Sequence, residues 1–223
     1  MGKDGGVATD LIVPLKPPRA GKSRLRGALG YPADAECHAA LVLALASDTL
    51  RAATAAPGVR RVLVVGSDTE ALAALRELGA EVVDEHRNGE ERGGLNGALR
   101  VGERLLRAAD PLAAVGALQA DLPALRPGEL AAALAEADGR RAFTADRHGT
   151  GTTLLLSGAG QPLAPRFGEG SASVHTASGA VPLTLPAPSL RGDVDTPEDL
   201  EHARLLGLGP STTALLDTAC VPH

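Results

Sequence analysis

Short apolar runs punctuate the chain: LIVPL (11–15), RVLVV (61–65), AEVVD (80–84), LAAVGAL (112–118), RAFTA (141–145) and TTLLL (152–156). Each is brief and bounded by turn residues, and most are rich in β-branched side chains, the pattern of a strand buried on both faces of a sheet. Between them the apolar positions recur with helical period over 33–54, 69–78, 95–109 and 127–137, and again over 197–206. The segment AECHAALVLALASDTLRAAT is the most regular of these. Strand and helix alternate to about residue 140, which predicts one α/β domain over 10–208, a Rossmann-like, mostly parallel sheet flanked by helices. Ligands of such sheets bind outside the carboxyl ends of the strands, where the strand order reverses, so chemistry should follow strands rather than precede them. Beyond Arg141 short strands alternate with Gly-rich loops, which reads as an irregular β insertion in the C-terminal third. Residues 1–9 are Gly-rich and polar, and 209–223 (GPSTTALLDTACVPH) carry a proline near each end; both are expected to be flexible tails.

Composition narrows the classes. Hydrophobic residues make up 44% and charged residues 22%, the ordinary mix of a folded domain. No run reaches the ~18 apolar residues that span a bilayer, and MGKDGGVATD lacks the apolar stretch of a secretory signal, so the expected location is the cytoplasm, with no membrane partner. A net charge of −5 with three aromatics (Tyr31, Phe143, Phe167) leaves neither the basic surface nor the stacking platforms of a nucleic-acid binder. Cys37 and Cys220 form no zinc spacing. Lysine occurs only at 3, 16 and 22, so the clustered pair stands out.

Five constellations carry candidate chemistry. PLKPPRAGKSRL, directly after the first strand, and the arginine that follows it gather Lys16, Arg19, Lys22, Arg24 and Arg26, a density that asks for an anion. It is not a Walker A loop, because Lys16 stands where the first glycine would be. In QADLPAL, Asp121 follows an apolar strand and points a carboxylate at the ligand crevice, unless it only opens a turn. In SLRGDVDTPEDL a helix cap explains Thr196, Pro197 and Asp199, with Asp195 open to the same explanation, and leaves Asp193 to share a divalent metal with Asp121. HGTGTTLL (148–155) and FGEGSASVH (167–175) each read as a Gly-rich turn or, together, as a second phosphate cradle, with Ser171 opening a short helix. His148 and His175 flank that cradle; no GxSxG elbow or His–nucleophile pair supports covalent catalysis.

In this order the motifs resemble the guanylyltransferases that make the deazaflavin coenzyme F-420, over about residues 10–210. ADLP and DVDTPEDL are shared by many nucleotidyltransferase-like folds, whereas HGTGTT followed by FGxGSxxxH marks this family. The resemblance implies an enzyme that joins the phosphate of a three-carbon acid to the GMP part of GTP and releases pyrophosphate. The acid is phosphoenolpyruvate in the bacterial branch, which the high-GC composition favours, or 2-phospholactate in the archaeal one. Carried over residue by residue, it implies Mg²⁺ on Asp121 and Asp193, and phosphoenolpyruvate on Thr153, Gly168 and Ser171. Lys16, Lys22 and Arg24 would face the triphosphate, with Leu15, Gly94, Leu95 and Asn96 near the guanosine. A labile product handed to the next pathway enzyme is a further expectation.

The chemistry implied needs no general base, since a phosphate monoester with a second pKa of roughly 6 is mostly dianionic at pH 7. Rival expectations are a nucleotidyltransferase for another phosphorylated acceptor, such as a molybdopterin or sugar acid, and a catalytically inactive nucleotide-binding module. The Gly-rich LxGGxSxRxG loop of the pterin enzymes is absent after the first strand.

Overall fold

The run TDLIVPL forms β1 (Thr9–Leu15), buried at every position because it lies in the middle of the sheet with helices on both faces. The computed structural model describes residues 8–19, 23–25, 35–85 and 93–219. In chain order β1 is followed by α1 (Ala35–Thr54), β2 (Val59–Gly66), α2 (Thr69–Arg76), β3 (Glu81–Asp84), α3 (Gly94–Ala109), β4 (Ala114–Leu118) and α4 (Pro127–Ala137). Then come β5 (Ala142–Ala145), β6 (Thr152–Leu156), α5 (Ser171–Ala177), β7 (Val181–Pro182), α6 (Pro188–Arg191), α7 (Pro197–Leu206) and α8 (Pro210–Ala219). These make one seven-stranded sheet in the order β3-β2-β1-β4-β6-β5-β7.

The order places the site. The chain winds outward from β1 through β2 to β3, all parallel, and then returns to the other side of β1 as β4, also parallel. The connections therefore reverse between β1 and β4, and their carboxyl ends border the crevice in which ligands of such sheets bind. One face of the sheet is packed by α1, α2 and α4 through Ala46, Leu50, Leu72, Leu75 and Leu130. The other is covered by α3 and α5 through Leu99, Leu106 and Ala172. A β-carbon at Gly102 on α3 would come within 2.6 Å of Ile12 Cγ2 on β1, so only glycine lets this helix lie so close to the central strand.

Two features differ from the sequence expectations. The C-terminal third extends the main sheet: β6 runs antiparallel between β4 and β5, and β7 pairs parallel with β5 at the edge. Secondly, the domain does not end at 208. Residues 210–219 form α8, whose first amides are held by a buried carboxylate on α1: Ser211 N–H and Thr212 N–H each donate to Asp48 at 2.8 Å. Leu216 packs in a third cluster with Leu41, Leu45 and Leu200. Among the described residues no helix is long and apolar enough to cross a membrane.

Candidate active site

A cavity of about 150 Å³ opens between the carboxyl ends of β1 and β4, lined among others by Leu15, Lys16, Leu95, Gln119, Asp121 and Asp195. Its floor is tied down from several sides. Gln119 N–H donates to Thr153 O at 2.9 Å, which fastens the end of β4 to the start of β6. Thr49, fully buried on α1, accepts the Leu122 N–H at 2.9 Å, and its hydroxyl lies 2.9 Å from Leu45 O and 3.2 Å from Ala120 O. The turn carrying the buried Asp121 is thus clamped from below. Val194 N–H donates to Asp121 O at 3.0 Å, which pins the segment 193–195 beside the same turn.

Asp199 is the hub of that segment. Its Oδ2 accepts from Asp195 N–H (3.1 Å), Thr196 N–H (2.9 Å) and Thr196 Oγ1 (2.9 Å), while its own N–H donates to Thr196 Oγ1 (3.2 Å) in a capping box. Its Oδ1 accepts from Arg147 Nε at 3.0 Å and Nη2 at 2.5 Å, so the β5–β6 loop is tied to the start of α7. Burial pushes the Asp199 carboxyl up, but the hydrogen bonds from Arg147, Thr196 and Asp195 outweigh it and hold the group below the ordinary aspartate range. Asp199 does the capping, and Asp195 lines the cavity. The sequence reading left the role of Asp195 open and expected Asp193 at the metal; in the structure Asp195 is in the lining, with Asp193 half-buried two residues earlier and outside it.

The second cradle is built on the β5–β6 loop and α5. Asp146 accepts from Thr150 N–H (2.9 Å) and Gly151 N–H (2.8 Å), and Ala172 N–H donates to Thr150 O (3.0 Å), joining the loop to α5. Gly168 and Gly170 have φ of 143° and 67°, the left-handed region that favours glycine, and Gly170 sits immediately before Ser171 at the helix start. Ser171 Oγ donates to Thr152 Oγ1 at 3.1 Å, and Thr152 Oγ1 lies 2.9 Å from His175 Nδ1. The other ring nitrogen, Nε2, accepts the Arg166 N–H at 3.1 Å, and the rings of Phe143 and Phe167 flank the imidazole at 5.9 and 5.3 Å. His175 is fully buried, and burial first, then the charges of Arg141 and Arg166, push its pKa down to about 4. It is therefore neutral at pH 7.

A histidine buried as the neutral form contributes stability that is complete above its unfolded pKa of about 6.5 and is lost as pH falls toward its folded value. Unfolding free energy measured by denaturant titration is expected to fall between pH 6.5 and 4, and His175→Phe to lose that part of the slope. An unchanged slope in the variant would show that His175 is not what titrates.

The structure sorts the remaining expectations. Leu15, Lys16, Leu95 and Asp121 meet in the cavity. Gly168 and Ser171 come together, Ser171 N–H donating to Gly168 O at 3.2 Å, but the hydroxyl that meets Ser171 is that of Thr152. A bulge between Thr144 and Ala145 shifts the β5–β6 register, and Thr153 turns inward, fully buried, with Oγ1 3.4 Å from Thr144 O. Asn96, expected near the guanosine, spends its amide on the FGEG loop: Nδ2 donates to Phe167 O (2.9 Å) and Oδ1 accepts the Phe167 N–H (2.8 Å). Gly94, with φ of 58°, starts α3. Arg24 is exposed on a 3-10 turn at Ser23–Leu25, and Arg19 pairs with Glu36 at 2.7 Å. Lys22 and Arg26 lie outside the described residues. His148 is exposed, its Nε2 3.9 Å from Asp199 Oδ1. Thr49 and Arg147 carried no motif signal, and Thr152 lay inside HGTGTTLL without being singled out; each works through a partner distant in sequence.

The donor set at the cavity suits a hard divalent cation. Carboxylate oxygens are ligands for Mg²⁺, which takes one or two of them and completes its shell with water and phosphate oxygens. Among the described residues no group of three or more His, Cys, Asp or Glu side chains is assembled in the manner of a closed protein cage.

No family model matches the chain. Curated relatives do. The phosphoenolpyruvate guanylyltransferase of Streptomyces scabiei (strain 87.22) is 50% identical over 214 residues, covering 95% of this chain and 97% of the relative. That of Geodermatophilus obscurus is 49% identical over 219 residues (96% and 97%), and that of Mycolicibacterium smegmatis 45% over 212 (95% and 91%). Among solved structures, a putative nucleotide-diphospho-sugar transferase from Desulfovibrio desulfuricans G20 superposes with a TM-score of 0.66 at 14% identity, covering 97% of this chain and 100% of that one. A nucleotidyl transferase from Methanothermobacter thermautotroptrophicus gives 0.60 at 17% identity (95% and 99%). The structural likenesses establish the nucleotidyltransferase fold, and the sequence identities over nearly whole chains go further: this chain belongs to the phosphoenolpyruvate guanylyltransferase family.

Proposed function

We propose that the protein transfers the GMP part of GTP to the phosphate of phosphoenolpyruvate, giving enolpyruvyl-2-diphospho-5'-guanosine and pyrophosphate, as a cytoplasmic step of coenzyme F-420 synthesis with Mg²⁺ as cofactor. The observation that carries the reading is the junction of two half-sites. Asp121, Asp195 and Lys16 line the crevice between β1 and β4, and Gln119 in the same lining is bonded to Thr153, one residue from the Thr152–Ser171 cradle. The family supplies the substrates.

In this reading an oxygen of the acid's phosphate dianion attacks the α-phosphorus of GTP, a new P–O–P bond forms, the bond from the α-phosphorus to the β-phosphate oxygen breaks, and pyrophosphate leaves. The attacking oxygen has no proton to lose, so no base is required. The histidines fit that requirement: His175 is locked between Arg166 and Thr152, and His148 is exposed beside Asp199. What the protein must do is hold two anions in line and lower their repulsion. Lys16 contributes charge at the mouth of β1, and the motif PLKPPRAGKSRL supplies Lys22 and Arg24 as further cations for the triphosphate in this reading. Asp121 and Asp195, with Asp193 nearby, would hold Mg²⁺, which when bound neutralises phosphate charge. Leu15 and Leu95 offer apolar surface to the nucleotide, and Ser171 donates to the acid's phosphate.

Ser171→Ala tests the acid half-site. Loss of a hydrogen bond to a charged group, about 1.5 kcal/mol, raises the KM for phosphoenolpyruvate about tenfold with little change in kcat. Steady-state kinetics at saturating GTP read this directly, and an unchanged KM would move the acid pocket elsewhere.

A further inference from the structure

His175 stands at the end of a buried chain whose hydrogen-bond directions can be worked out from chemistry alone. A backbone N–H only donates, so the Arg166 N–H at 3.1 Å requires Nε2 to be bare. The ring is neutral, and its one proton therefore sits on Nδ1 and is donated to Thr152 Oγ1 at 2.9 Å. In the free protein Ser171 gives its proton to that same oxygen at 3.1 Å. When Ser171 turns its proton to a bound anion, its oxygen becomes an acceptor, and the only protonated neighbour in the chain is the Thr152 hydroxyl. Thr152 can reverse the bond and donate because its own oxygen keeps the bond from His175. The ring cannot slip, since Phe143 and Phe167 pack against it and Arg166 holds its far nitrogen.

We propose that His175 is a positioning residue for the acid substrate, acting through Thr152 to let Ser171 donate its hydroxyl proton to the bound phosphate. The proposal rests on the reading that Ser171 faces that phosphate. His175 itself touches no reacting atom. Its role is to complete a one-way row of donors, Nδ1–H to Thr152 and Thr152 to Ser171, so that each bond polarises the next and Ser171 becomes a better donor than an isolated serine.

The test compares Ser171→Ala, Thr152→Val, Thr152→Ser and His175→Phe in steady-state kinetics with phosphoenolpyruvate varied at saturating GTP and Mg²⁺, with thermal melts to confirm folding. Thr152→Val conserves volume and leaves His175 in place, so it remains informative if His175→Phe does not fold. The expected result is a KM for phosphoenolpyruvate raised about five- to tenfold by Thr152→Val and by His175→Phe, with kcat and the KM for GTP within about twofold of wild type. Thr152→Ser, which restores the hydroxyl, should return the KM to near the wild-type value. The double variant Thr152→Val/Ser171→Ala should be no worse than Ser171→Ala alone, because the chain has already been cut at its last member. A Thr152→Val enzyme with wild-type KM beside a Ser171→Ala enzyme with raised KM would overturn the relay and leave the acid pocket standing. A wild-type KM in Ser171→Ala would overturn the acid-pocket reading and the relay with it. Equal losses in kcat, or additive effects in the double variant, would assign His175 and Thr152 to packing instead.

Discussion

Asp121→Ala is expected to lower kcat/KM at least about a hundredfold, the scale for losing a carboxylate of a metal site, while the protein stays folded. The fold should survive because backbone bonds and Thr49 hold the turn. Thr49 binds the Leu122 N–H, Gln119 N–H is bonded to Thr153, and Val194 binds the backbone carbonyl of residue 121, contacts that alanine retains. The carboxylate faces the cavity between β1 and β4, where the triphosphate of the nucleotide is proposed to lie. Steady-state assays with matched thermal melts check this. Retention of more than roughly a tenth of the activity would remove Asp121 from the proposed metal site.

Asp199→Ala is expected to cost about 2 kcal/mol of stability and a large part of the activity, by a different route. Its carboxylate is buried, receives both Nε and Nη2 of Arg147, and caps the first turn of α7. The loss removes the cap of α7 together with a charge-assisted pair to Arg147, whose guanidinium is exposed and can be rehydrated. The same change frees the Asp195 N–H and loosens the carboxylate at the cavity, so the KM for Mg²⁺ should rise as well. The pH dependence has a defined sign. Because the folded state holds the Asp199 pKa below its ordinary value of 3.8, its stabilisation is complete above pH 4 and is lost as pH falls below that value. Denaturant titrations at pH 3 and pH 6 should show a smaller loss on acidification for Asp199→Asn than for wild type. An equal loss in both would contradict the role given to Asp199.

The sheet was legible because its central strands are buried on both faces and so read as unbroken apolar runs: LIVPL, RVLVV and LAAVGAL. Asp121 was legible for the same reason, as the carboxylate that follows such a run. α8 was not, because GPSTTALLDTA has few apolar positions and owes its helix start to Asp48, 163 residues earlier in the chain. Asp199 was legible as the cap of DVDTPEDL, but that it also fixes the Asp195 and Thr196 amides, with Asp195 in the cavity lining, shows only in the structure. Thr152 and Thr153 are adjacent and chemically identical. Only the bulge at Thr144 and Ala145 determines which of them meets Ser171, and strict alternation along a strand carries no sign of a bulge.

The most direct measurement is to incubate the purified protein with GTP, Mg²⁺ and either phosphoenolpyruvate or 2-phospholactate, following pyrophosphate release and detecting the guanylylated product by mass, with the next pathway enzyme added to trap a labile product. The account predicts pyrophosphate release and a guanylylated three-carbon acid with phosphoenolpyruvate. Release with 2-phospholactate alone would contradict the substrate assignment, and no release with either acid while GTP still binds would contradict the proposed reaction itself.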